Sequence, residues 1–245
     1  MHNRISYGDR ARIGLLVPPT NTVNETEWQA MRVDGVSFHT HRVALHSAPT
    51  TPEQRTAFID DVAMGAAMLT PAGVSVIAYA CTAASMVNPA EALEDELSER
   101  CRVKVVTTSA AILRALAHLD ARNIAIATPY HDALNKHEVE FLASNGIHVS
   151  RIAGLGLGAN GPSEYRLIAP TPLETVLDHA RSVLVPGIDA LLLACTDMRT
   201  LPLIDDLEKE IGVPVISSNT CTLWSTLRAA GINDKVAGAG ILLGA

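Results

Sequence analysis

The chain lacks several features that would settle its class at once. It has no basic cluster, and 19 Lys and Arg against 26 Asp and Glu give a formal net charge of −7. That balance argues against a nucleic-acid footprint. Met1 to Arg12 carry charges and no apolar segment of signal-peptide length. No apolar run approaches the roughly 18 residues that cross a bilayer. The four cysteines are not spaced like a zinc knuckle. Charged residues are few, 18% against 48% apolar, which excludes a disordered chain. These absences lead to the expectation of a cytoplasmic globular protein with reduced thiols. At 245 residues it can bury a sizeable core, as one large domain or two small ones.

What is present is a repeated tripeptide. Ala80-Cys81-Thr82 closes the apolar run Val74 to Tyr79, and Ala194-Cys195-Thr196 closes Ile188 to Leu193. Gly73 and Gly187 precede the two runs at the same separation as the cysteines, 114 residues (195 − 81 and 187 − 73). Short apolar runs bounded by Gly read as buried parallel strands. Ligands of open α/β sheets sit beyond the carboxyl ends of such strands.

The remaining pattern alternates strand and helix. Strands are expected at Arg12 to Pro18, Val36 to Leu45, Val103 to Thr107, Asn123 to Thr128, Val149 to Leu155 and Val213 to Ser217, besides the two cysteine runs. Thr51-Pro52 and Asn88-Pro89 each read as a cap followed by Pro in the first helical turn. Asp132 to Ser144 reads as a helix stopped by Asn145-Gly146. Ile13 to Pro18 matches Ile124 to Pro129, and Val103 to Thr107 matches Val213 to Ser217, at offsets close to that of the cysteines. Three matched strands in one order indicate two copies of one unit. The expected fold is α/β, with two pseudo-symmetric, flavodoxin-like parallel-sheet domains and a site between them. The expected division is 1–118 plus 221–245, and 119–220.

A cysteine at a strand end is most often a small buried hydrophobe, and Cys101 and Cys221 read that way. Cys101 ends a helix; Cys221 starts one with no counterpart in the first half. The duplication separates Cys81 and Cys195 from that default. If the halves face each other, the two thiols flank one ligand, one as nucleophile or base and the other as acid. Thr82 and Thr196 each offer a hydroxyl to a carboxylate. Arg199 is placed to pair with one. Gly156, Gly158 and Gly161 fit G-x-G-x-x-G, but Pro162 follows and no helix opens there, so no nucleotide is inferred. That loop instead brings Asn160 toward a ligand. His39, His41 and His46 lack the further ligands a metal site needs.

Several motifs resemble the aspartate/glutamate racemase superfamily, and within it the maleate isomerase and arylmalonate decarboxylase branch. They are Val17-Pro18-Pro19-Thr20-Asn21 with Glu25-Thr26-Glu27, Phe38 to Arg42 with His46, Tyr79-Ala80-Cys81, Thr128-Pro129-Tyr130, and Cys195 with Met198 and Leu201-Pro202-Leu203. The resemblance implies a cofactor-independent enzyme, homodimeric, with no metal and a small carboxylate or dicarboxylate as substrate. It implies that Cys81 adds to the double bond of a maleate-like acid, while Cys195 supplies and withdraws the proton. It places Pro19, Asn21, Tyr130 and Asn160 around the substrate. Cys195-Thr196-Asp197 is closer to the racemases and to ectoine-utilisation relatives, so a two-cysteine racemase is the alternative activity. A two-lobed, non-catalytic binding protein is the alternative of another class.

Overall fold

Alternation along the strands decides where each layer lies. In β1 (Ala11–Val17) and β3 (Val76–Tyr79), Ile13, Leu15, Val17 and Ala78 face one buried cluster, while Leu16, Ile77 and Tyr79 face another. β5 (Asn123–Tyr130) and β7 (Ala190–Leu193) repeat this in phase. Ile124, Ile126 and Leu192 join the first cluster, and Ala125, Ala127 and Leu191 face a third. The first cluster is therefore shared by both sheets, and the other two lie on their outer faces. Strands buried on both faces carry the near-continuous apolar runs seen in the sequence.

The computed structural model describes residues 7–244, so the charged N-terminal stretch is described only from Tyr7 onward. With β2 (Val36–Arg42), β4 (Lys104–Thr107), β6 (His148–Leu157) and β8 (Val215–Ser217), the chain forms two four-stranded sheets. Their orders are β2-β1-β3-β4 and β6-β5-β7-β8, and every pairing is parallel. Identical order in both sheets bears out the duplication and the α/β fold class.

The helices are α1 (Asn24–Ala30), α2 (Pro52–Leu69), α3 (Thr82–Ser85), α4 (Ala90–Cys101), α5 (Thr108–His118), α6 (Asp132–Ser144), α7 (Leu173–Ser182), α8 (Leu201–Ile211), α9 (Ser218–Ala229) and α10 (Gly240–Gly244). Thr51 caps α2, its side chain accepting the Gln54 N–H. α2 covers the outer face of the first sheet so closely that a Cβ on Gly65 would lie 2.6 Å from Val43 Cγ1. α9 leaves β8 and packs on α5 and on β3 and β4 of the other sheet.

Five local readings are corrected. Asn88 is not a helix cap: α4 begins at Ala90 with Pro89 as its cap residue, and the Asn88 side chain instead bonds Ser144 and Asn145 of the second half. The Gly-rich stretch stays extended to Leu157 as β6, because it pairs with β5 through an irregular register. Pro162, expected to end the Gly-rich loop, opens a 3-10 turn, Pro162–Leu167. α9 starts at Ser218, capped by Ser217, so Cys221 lies inside it. α9 has a counterpart after all: α5, which follows β4 as α9 follows β8. α3 and α10 had too little periodic sequence to be read.

Candidate active site

Period-two geometry puts Tyr79 and Cys81 on one side of the chain. The Tyr79 hydroxyl donates to the Cys81 sulfur, and so does the Ala84 N–H. Burial nonetheless pushes the Cys81 thiol up. The turn is fixed from behind by Ser85, whose hydroxyl donates to the Cys81 carbonyl at 2.6 Å and accepts the Ser109 N–H at 3.0 Å.

The second half lacks that tyrosine, since Leu193 stands two residues before Cys195. Tyr130 replaces it from β5, and its hydroxyl hydrogen-bonds the Cys195 sulfur. The Asp197 N–H donates to the same sulfur at 3.4 Å. Burial first, and the nearby Asp197 carboxylate with it, raise the Cys195 thiol to about 12. Tyr130 is set by Thr128, whose hydroxyl accepts the Tyr130 N–H at 3.1 Å and donates to Asn135 Oδ1 at 2.6 Å. Gly154 permits this: a Cβ there would lie 1.9 Å from the Tyr130 carbonyl oxygen.

Both thiols line one cavity of about 150 Å³ at the carboxyl ends of the two sheets. Asn21 and His46 from two loops, Tyr130 from the end of β5 and Tyr165 from a 3-10 turn also line it. The halves are joined beneath it. Asn21 Nδ2 donates to Thr196 Oγ1 at 3.0 Å, and Thr196 donates to the Ala80 carbonyl at 3.1 Å. Thr82 donates to Ser218 at 2.8 Å. Glu27 is buried and accepts the Thr200 and Leu201 N–H groups at 2.7 and 2.8 Å and Asn219 Nδ2 at 2.7 Å. It closes the N-terminus of α8 from the opposite half, where a carboxylate is favoured.

The structure thus brings Cys81, Cys195, Asn21, Thr82, Tyr130 and Thr196 together at the cavity. Thr82 and Thr196 line the cavity, and their hydroxyls donate within the protein, to Ser218 Oγ and to the Ala80 carbonyl. Pro19 is exposed beside the cavity-lining Pro18 and Thr20. Asn160 lies outside the cavity, exposed, its side chain and backbone held by Glu164 at 2.6 and 3.2 Å. Arg199 is exposed and does not reach the lining. Cys101 and Cys221 are buried away from it.

Four residues at or behind the cavity receive no site role from the sequence. Tyr79 belongs to the Tyr79-Ala80-Cys81 motif, and strand alternation places it beside Cys81. His46 lines the wall and pairs with Asp61 at 2.8 Å, a contact across two elements that no local pattern signals. Tyr165 comes from the unread 3-10 turn. Asp197 lines the wall beside Cys195. Among the described residues, no group of three His, Cys, Asp or Glu is placed to hold a metal, and no helix is long and apolar enough to cross a membrane.

The family model for arylmalonate decarboxylase matches residues 13–243. Maleate isomerase from Nocardia farcinica is 35% identical over 245 residues, covering 95% of each chain. A structure of that isomerase, a cysteine-to-serine mutant with a covalently bound succinylcysteine intermediate, superposes with a TM-score of 0.82 at 30% identity over 95% of this chain and 98% of that one. A cysteine-to-alanine form of maleate isomerase from Pseudomonas putida S16, with maleate, gives 0.84 at 25% identity over 95% and 97%. A match of this extent, over a fold with two parallel sheets and a shared cavity between them, makes the chain an enzyme of the arylmalonate decarboxylase and maleate isomerase family of the Asp/Glu racemase superfamily, acting on small carboxylates.

Proposed function

We propose that this enzyme is a cofactor-independent cis–trans isomerase of a small unsaturated acid of the maleate type. The observation that carries the reading is that two thiols share one cavity in unlike electrostatic settings. Each sulfur receives two donors that favour its thiolate, Cys81 from the Tyr79 hydroxyl and the Ala84 N–H, and Cys195 from the Tyr130 hydroxyl and the Asp197 N–H. Cys195 in addition stands beside the Asp197 carboxylate, which favours its protonated form.

In this reaction the Cys81 thiolate adds to one alkene carbon, forming a C–S bond. The Cys195 thiol protonates the neighbouring carbon. The former double bond, now single, rotates. Cys195 then removes a proton from that carbon, the C–S bond breaks, and the trans acid leaves with Cys81 restored as thiolate. Protons and electrons balance without any co-reactant. The succinylcysteine intermediate of the Nocardia relative supports this course. Decarboxylation would need only one acid to protonate the carbanion, so a second thiol in the cavity favours addition.

The test is to incubate the Cys195→Ser variant with maleate and map the product by peptide mass. The expected result is a thioether adduct carrying the mass of one maleic acid on Cys81. Labelling of another residue, or no adduct in a folded variant together with no maleate loss by the wild type, overturns the reading.

A further inference from the structure

Beyond favouring the protonated form of Cys195, Asp197 offers the cavity a carboxylate that the two-thiol steps leave unused. It lines the cavity and is only 6% exposed. Its Oδ1 accepts the Thr22 N–H at 2.8 Å, while its buried Oδ2 has no hydrogen-bond partner. The Val23 N–H also favours the ionised form, yet a carboxylate in a poorly solvated wall stays costly, and a ligand that donates to it recovers part of that cost. Burial raises this carboxyl to about 6, which still leaves it mostly ionised at neutral pH.

The rest of the wall does not neutralise it. No lysine or arginine lines the cavity among the described residues. The Arg42 charge lowers the Asp197 carboxyl without bonding it; its guanidinium is held by Glu25 at 2.6 Å and by the Asn21 carbonyl at 3.0 Å. At the matched position of the first half, after Cys81-Thr82, stands Ala83. The Cys195 end of the cavity therefore carries a side-chain carboxylate that the Cys81 end lacks. A dicarboxylate dianion would set one of its carboxylates against Asp197, which is unfavourable at short range in a poorly solvated site.

We propose that Asp197 selects a substrate whose terminus at the Cys195 end donates a hydrogen bond, so that the preferred ligand is a cis-unsaturated monocarboxylate ending in an amide or similar neutral donor rather than a dicarboxylate dianion. This rests on the isomerase reading and names its substrate class.

Wild type and Asp197→Asn are compared with two probes, maleate and the monoamide of maleic acid, at mildly alkaline pH. Two readouts are taken: kcat/KM for isomerisation, and protection of Cys81 from iodoacetamide. Asn keeps the oxygen that accepts from Thr22, and the wild-type preference is measured independently of the variant. The wild type is expected to favour the monoamide by about 10- to 100-fold, the range for a hydrogen bond to a charged group. The variant is expected to lose that preference. A wild type that favours maleate, or the same ratio in both proteins, overturns the proposal. If neither probe is turned over, the isomerase reading fails while the protection ratio still decides the role of Asp197. Absence of protection by both probes overturns the two together.

Discussion

The Tyr79 hydroxyl donates to the sulfur of Cys81, two residues further along the same face of the chain. The bond is short-range in sequence, and it counters part of the effect of burial on the proposed nucleophile. A donor to sulfur favours the thiolate, so removing it raises the thiol pKa. Tyr79→Phe is expected to move the pH profile of Cys81 alkylation upward and to lower kcat/KM by about 10- to 100-fold. Iodoacetamide rates measured across pH check this; an unshifted profile contradicts it.

Each thiol is indispensable to the proposed addition and proton transfer. Cys81→Ser and Cys195→Ser are each expected to lose about 10³-fold or more in isomerisation. Combining them is expected to cost little beyond the first, because the two act in one sequence of steps. Loss of maleate absorbance, followed for both single variants and the double, checks the claim.

Gly154 has no room for a side chain against the Tyr130 carbonyl. Gly154→Ala is expected to displace Tyr130 from Cys195, lowering kcat by about tenfold or more, with a stability loss of about 1–3 kcal/mol. Gly65→Ala serves as the control. It crowds Val43 and Leu16 at the α2 face, so it is expected to lower stability similarly with little effect on kcat. Urea unfolding read beside steady-state kinetics separates the two.

Glu138 of α6 is 1% exposed, and neither carboxylate oxygen has a partner. Burial raises its carboxyl from 4.5 to about 8. The folded protein therefore binds this proton more tightly than the unfolded chain does. Its contribution to stability is fully present below about pH 4.5 and is lost as pH rises through about 8. Glu138→Gln is expected to flatten that decline between those limits. Urea midpoints on both sides of neutrality check it, and an unchanged slope contradicts it.

The layered fold was legible because strand runs and helix caps are local. Gly73 and Gly187 mark equivalent strands, and Thr51 caps α2 as its sequence indicates. The cysteine pair was legible through the repeat. What was not legible depends on contacts between distant segments. Asn88 looks like a cap but bonds α6 and the residue after it. Asn160 looks free to reach a ligand but is held by Glu164. Tyr130 was found through resemblance, whereas its bond to Cys195 depends on the irregular pairing of β5 and β6, which no single strand encodes. Thr82 and Thr196 were read as donors to a ligand, but their hydrogens go to Ser218 and Ala80 on the joint between the halves.

A doubled scaffold with matching walls would accept a bent ligand either way round with equal ease, and either thiol would meet either end of it. Here Tyr79 stands opposite Leu193, and Ala83 opposite Asp197. Those two mismatches give the molecule a head and a tail, so handedness of binding is written into the walls before any reactant arrives.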